Sequence, residues 1–170
     1  RVVLSSVSVD GGTLLFEADA GEVDDVSVSA LDDSTLVIDA GGDVITLLGG
    51  AAGNPDFQLS AGDTVLTVKV ADAALTDSEF QLGSEDDSLT VASLPQAFSL
   101  TADGGAGSDV LDATTALQGV VFVGGGGGDT LLGGLGDDVL AGGGGTDIID
   151  GGEGNDTNSF AGIGIGVTAT

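Results

Sequence analysis

The chain is 170 residues long and carries 28 acidic against two basic residues, Arg1 and Lys69, for a net charge of −26. Nucleic acids and anionic membranes are recognised through Lys and Arg, so this surface excludes both as partners and selects metal cations as counterions. A hydrophobic content of 41% excludes the disorder that such acidity otherwise signals, and no apolar run reaches the roughly 18 residues of a membrane span.

The chain has neither Cys nor His. A disulfide framework, a thiolate zinc site, an H-E-x-x-H zinc site and a Ser-His-Asp triad are all ruled out by that alone. The 32 glycines cluster beside Asp instead of falling at every third position as in collagen. The apolar supply is Val, Leu, Ile and Ala with six Phe, which suits thin strands. A start at Arg1 with no signal peptide reads as a processed or truncated chain.

Residues 1–23 are expected to form an N-terminal strand or hairpin that serves as a cap or an assembly arm. The segment VLSSVSVDGGTLLFEA alternates on both sides of Asp10-Gly11-Gly12, a hairpin signal. From residue 24 an Asp-x-aliphatic element recurs at Asp24, Asp43, Asp63, Asp87, Asp109, Asp129 and Asp147. The intervals are 19, 20, 24, 22, 20 and 18 residues. Between these elements lie second strands: Leu36-Val37-Ile38, Phe57-Gln58-Leu59, Phe80-Gln81-Leu82, Phe98-Ser99-Leu100, Phe122-Val123 and Val139-Leu140.

This beat predicts an all-β parallel β-roll or β-solenoid of about seven coils over residues 24 to about 157. Residues 24–103 form its irregular part. There GGAAGNPD (49–56) is a decayed nonapeptide, and DTVLTVKV implies a bulge near Asp63 with Leu66, Val68 and Val70 inward.

Residues 104–159 are regular. Four abutting nonapeptides run from Gly124 (GGGGGDTLL, GGLGDDVLA, GGGGTDIID, GGEGNDTNS), and a fifth, GGAGSDVLD, begins at Gly104. The pattern is G-G-x-G-x-D-x-U-x, where U is Leu111, Leu131, Leu140, Ile149 and a failing Asn158. Glycines permit φ > 0, so six residues wrap a tight turn with inward carbonyls. The Asp adds a hard carboxylate oxygen, and Ca²⁺ wants six to eight oxygens at about 2.3–2.6 Å. The x-U-x triplet makes a short strand with its aliphatic side chain in the core, so two nonapeptides make one turn of a flattened spiral.

This pattern resembles the RTX (hemolysin-type) calcium-binding nonapeptide repeat family over residues 104–159, about a third of the chain. The resemblance implies a right-handed parallel β-roll that binds Ca²⁺, in a protein secreted by bacteria. Turns beginning at Gly104, Gly124 and Gly142 fall on one side of the roll, and those at Gly133 and Gly151 on the other. Ions between neighbouring turns give three sandwich sites: Asp109 with Asp129, Asp129 with Asp147, and Asp138 with Asp156. The resemblance carries the ligand role to these aspartates and to the glycines of the same turns: Gly104, Gly107, Gly124, Gly127, Gly142, Gly145, Gly133, Gly136, Gly151 and Gly154. Asp87 beside Asp109 is a weaker fourth site, because its turn GSEDD lacks the glycines.

The tail FAGIGIGVTAT, residues 160–170, reads as a last strand. Asn155-Asp156-Thr157 fits an N-glycosylation acceptor but overlaps a calcium turn, which makes the match a coincidence.

Catalysis is not expected, since the periodic positions use up most of the acids and basic groups for an acidic sugar are lacking. Outward positions Ser27, Thr46, Thr90, Asp112, Leu132 and Asp150 give no threonine ladder for ice. The expected role is an extracellular calcium-binding structural subunit of a surface layer, filament or matrix, self-associating head to tail or by strand addition. The alternatives are a calcium-dependent adhesion or carbohydrate-binding module, and an RTX module of a larger secreted protein.

Overall fold

A computed structural model describes residues 4–10, 13–17, 25–32, 35–39, 44–47, 57–59, 65–69, 76–159 and 168–169. All of its regular structure is strand, and no helix is long and apolar enough to cross a membrane among the described residues.

The centre is four consecutive two-strand turns. They are β8 (Asp77–Gln81) with β9 (Ser88–Val91), β10 (Ser99–Ala106) with β11 (Val110–Asp112), β12 (Val120–Gly127) with β13 (Thr130–Leu132), and β14 (Val139–Gly145) with β15 (Ile148–Asp150). Even members stack in parallel as one sheet and odd members as the other. β16 (Thr157–Ser159) and β17 (Thr168–Ala169) add one further strand to each sheet.

Each x-U-x strand buries its central aliphatic. In one sheet the inward column is Val26, Leu89, Leu111, Leu131, Ile149, all fully buried and in direct register. In the other it runs Phe16, Phe80, Ala102, Phe122, Leu140, Asn158. Phe16 stacks on Phe80 with ring centroids 5.2 Å apart, and Ala102 supplies the small layer between Phe80 and Phe122. Such large–small alternation lets thin layers interdigitate at native density.

The N-terminal hairpin is present. β1 (Leu4–Asp10) pairs antiparallel with β2 (Thr13–Glu17), with Asp10 opposite Thr13. β2 then lies parallel to β8, and β3 (Asp25–Asp32) parallel to β9. β2 and β3 therefore add one strand to each sheet below the β8–β9 turn.

The seven-coil expectation fails here, because the roll has about four turns. Ala30 N–H donates to Ser93 Oγ at 2.9 Å across 63 residues, the stretch that the Asp-x-aliphatic beat divides into three coils. The intervening strands extend the sheets instead. β4 (Thr35–Asp39) pairs antiparallel with β3, β7 (Val65–Lys69) with β4, and β6 (Phe57–Leu59) with β7. β5 (Val44–Leu47) pairs in parallel with β1. The reason is connection length: only two residues separate Asp32 from Thr35, enough for an antiparallel return but not for a parallel crossover. Thr46 accordingly pairs in register with Ser6, in the sheet that does not hold the row Ser27, Thr90, Asp112, Leu132, Asp150. Asp24, Asp43, Asp63, the GGAAGNPD loop and residues 160–167 lie outside the described residues.

Phe122 is fully buried between Ala102 and Leu140 of the neighbouring turns. Phe122→Ala is expected to destabilise the roll in calcium by about 3–5 kcal/mol, read from denaturant unfolding. A loss below about 1 kcal/mol would show that the stacked interior does not hold the turns together.

Candidate metal centre

On one edge of the roll the β10–β11, β12–β13 and β14–β15 connections stack in register, with Gly105 beside Gly125 and Gly125 beside Gly143. The fold demands glycine there. Gly127 has φ +149°, and a Cβ on it would strike the Gly107 carbonyl of the turn below.

Asp109, Asp129 and Asp147 stand at the ends of these turns, each at most 4% exposed. They form a ladder of side chain to main chain. Asp109 Oδ1 accepts the Asp87 N–H at 2.8 Å, Asp129 Oδ1 the Asp109 N–H at 3.0 Å, and Asp147 Oδ1 the Asp129 N–H at 3.1 Å. The steps are 22, 20 and 18 residues.

The second oxygens are a different matter. Asp109 Oδ2 and Asp129 Oδ2 are buried with no hydrogen-bond partner. Each faces the first glycine of its own turn together with the carbonyl of the next turn: Asp109 Oδ2 and the Gly124 carbonyl over Gly104, Asp129 Oδ2 and the Gly142 carbonyl over Gly124. A Cβ on either glycine would fill the cradle. Among the described residues no three acidic side chains converge on one point, so an ion here takes carboxylates from two turns at most and the rest of its oxygens from backbone.

Orphaned anionic oxygens beside inward carbonyls, with no donor in reach, fit a hard divalent cation. Burial pushes Asp109 and Asp129 above the ordinary carboxylate range, and the neighbouring acids Asp86 and Asp103, or Asp109 and Asp147, push the same way. A bound divalent ion reverses that logic by making the ionised form the favoured one.

On the opposite edge Asp138 and Asp156 also stack, Asp156 Oδ1 accepting the Asp138 N–H at 3.0 Å. Asp138 Oδ1 accepts the Val120 N–H at 2.8 Å. Burial likewise raises the Asp138 carboxyl, against the pull of its Val120 and Gly134 hydrogen bonds. Asp87 is 2% exposed, and its turn stacks under Gly104–Asp109 in spite of lacking the repeat's glycines, with the Ala106 N–H on the Gly83 carbonyl at 3.0 Å.

Two acids join these turns without having been singled out by the repeat. Asp86 Oδ1 accepts the Ser108 N–H at 2.7 Å, and Asp137 Oδ1 the Asn155 N–H at 2.9 Å. Their signal was the doublet: Asp86-Asp87 and Asp137-Asp138 each put an extra carboxylate one residue ahead of the inward one.

The fold and the acid ladder define a parallel β-roll with stacked glycine–aspartate turns. Residues 123–157 match the family model of the RTX calcium-binding nonapeptide repeat, in four copies, and these repeats bind calcium. No curated protein and no solved structure matches the chain.

The raised carboxyls set a pH dependence. Without calcium, burial makes Asp109, Asp129 and Asp138 keep their protons to higher pH in the folded chain than in the unfolded one. Their contribution to stability is complete below the unfolded value of about 4 and is lost as pH rises through the raised folded values. The calcium-free roll is therefore expected to melt at a higher temperature as pH is lowered from about 7 to about 4. In calcium the same acidification weakens ion binding, since the ligands must be ionised. Circular-dichroism melts in chelator and in calcium read both; a calcium-free melting temperature that drops on acidification contradicts the assignment.

Proposed function

We propose that this chain is a non-enzymatic, extracellular structural module of bacterial origin, wound up by calcium and joined to further copies of itself through the ends of its sheets. The observation that carries the reading is the pair of buried, unpartnered carboxylate oxygens on Asp109 and Asp129, in a chain with only two basic residues to neutralise 28 acids.

Calcium is scarce in cytoplasm and near millimolar outside. A site with Kd about 10⁻⁴ M gains roughly 1.4 kcal/mol at millimolar calcium, and two or three such sites roughly 3–4 kcal/mol. That is close to the lower end of a domain's net stability of about 5 kcal/mol. Secretion of a loose chain that orders outside the cell follows from these magnitudes. On transfer to excess chelator the far-UV circular dichroism of the chain is expected to lose the part of its strand signal that belongs to the glycine–aspartate turns, and to regain it with calcium. An unchanged spectrum removes calcium as the folding ligand.

Assembly is supported by the sheet ends. Among the described strands β16 and β17 terminate one end, β5 and β6 the other. At the β16 end the apolar column gives way to Asn158, whose Oδ1 is buried without a partner. A backbone N–H from an added strand would satisfy it, as in β-augmentation. Cations would also have to screen the repulsion between two molecules of such charge. Size-exclusion chromatography and electron microscopy across a calcium titration are expected to show oligomers or filaments at millimolar calcium. A monodisperse monomer throughout ends the assembly reading and leaves the calcium-ordered module standing.

A further inference from the structure

The five Gly–Asp turns are alike in sequence but not in backbone. Four of them place the second and fourth glycines at positive φ: Gly105 and Gly107, Gly125 and Gly127, Gly143 and Gly145, Gly152 and Gly154. In the turn Gly133–Asp138 neither Gly134 nor Gly136 has positive φ.

Its hydrogen bonds differ as well. The Gly134 N–H donates to Asp138 Oδ2 at 2.7 Å, so both oxygens of Asp138 are occupied by main-chain donors, Val120 N–H on one and Gly134 N–H on the other. Asp138 Oδ2 faces Gly133 and the Gly151 carbonyl as its counterparts face theirs, but Asp109 Oδ2 and Asp129 Oδ2 on the other edge accept no such donor.

The cause lies two residues before the second glycine. At Gly105 and Gly152 that residue is an Asp, and its own carboxylate caps the glycine N–H: Asp103 Oδ1 at 3.0 Å and Asp150 Oδ1 at 3.1 Å. Gly105, Gly125 and Gly143 lie in register within β10, β12 and β14. Gly125 and Gly143 keep positive φ with Val123 and Ala141 at that position, so the cap decides only for a glycine outside the strands, as Gly152 is. At Gly134 the position is Leu132, which has no acceptor, and the glycine is outside any strand. Its N–H turns to Asp138. The layer below reinforces this. Residues 113–119 (ATTALQG) carry no repeat, and the Leu135 N–H closes down on the Ala116 carbonyl at 2.9 Å.

We propose that the roll takes up calcium along the Gly104–Gly124–Gly142 edge only, and that Gly133–Asp138 is a protein-capped turn independent of calcium, with Leu132 as the residue that makes it so. This rests on the calcium-binding reading of the repeats and separates the two edges, although the family match spans both. The predicted Asp138–Asp156 sandwich is then a turn-to-turn hydrogen bond and not a metal site.

Equilibrium dialysis with radioactive calcium and isothermal titration of the full-length chain test this. Asp129→Asn, which alters a carboxylate shared by two neighbouring turns, is expected to weaken calcium binding roughly tenfold or more. Asp138→Asn is expected to keep the wild-type number of bound ions. Leu132→Asn restores an Asx cap for Gly134 without aligning a third carboxylate between Asp112 and Asp150, frees Asp138 Oδ2, and is expected to add one bound ion. Leu132→Asn decides alone should Asp138→Asn fail to fold. Loss of an ion in Asp138→Asn, or an unchanged count in Leu132→Asn, overturns the proposal. No calcium binding by the wild-type chain would instead sink the calcium reading from which it starts.

Discussion

The constraint on which the structure turns is the stacking of like charges at strand spacing. Asp87, Asp109, Asp129 and Asp147 follow one another up one edge, each buried to within a few per cent. Two unit charges about 5 Å apart repel by roughly 3 kcal/mol at an effective dielectric of about 20. The main-chain N–H that each Oδ1 of Asp109, Asp129 and Asp147 accepts returns about 1.5–3 kcal/mol as a hydrogen bond to a charged group. Repulsion and ladder thus nearly cancel, and the desolvation of the second oxygen remains to be met. Protons can meet it at low pH; calcium meets it at neutral pH. The same carboxylates that tie turn to turn therefore make the tie conditional on a cation.

How much of this could be seen in the sequence depends on what set the geometry. The inward column Leu111, Leu131, Ile149 and the in-register turns were legible because both strand and turn repeat within nine residues, and a period fixes register directly. Asn158 was visible as the failing position, and the structure makes it the polar end of the column. The seven-coil count was not legible, because Asp-x-aliphatic marks a strand start without saying which strand lies beside it. Val26 and Leu89 are neighbours through tertiary pairing across the antiparallel strands β4, β6 and β7, which no local pattern encodes. The odd turn at Gly133 escaped for a related reason. GGLGDD satisfies the repeat, but its conformation is decided by Leu132 before it and by residues 113–119 beneath it.

The two parts of the molecule are held by different means. From Ser88 upward each turn contacts the next at a sequence separation of 18–22 residues, with one or two buried apolar side chains per strand up to β15. Below, the closure between β3 and β9 spans 63 residues. Loop entropy makes the longer closure costlier by only about 1 kcal/mol, since the term grows as the logarithm of length. The Phe16–Phe80 stack and the buried Leu14, Val26, Val28 and Leu89 outweigh that several times over, at about 1.5–3 kcal/mol for each fully buried side chain.

The apolar column ends at the top, where Leu140 gives way to Asn158, while the glycines and the stacked carboxylates are concentrated in the turns from Gly104 on. The base is packed on its own apolar side chains, Leu14, Phe16, Val26, Val28 and Phe80. The upper turns combine a buried core of their own with the aspartate ladder. Stability that is a sum of nearest-neighbour terms propagates from whichever end is already ordered. A base ordered by its own packing gives the acidic turns an in-register edge on which to wind, and the cation need only offset the charge that each added turn brings.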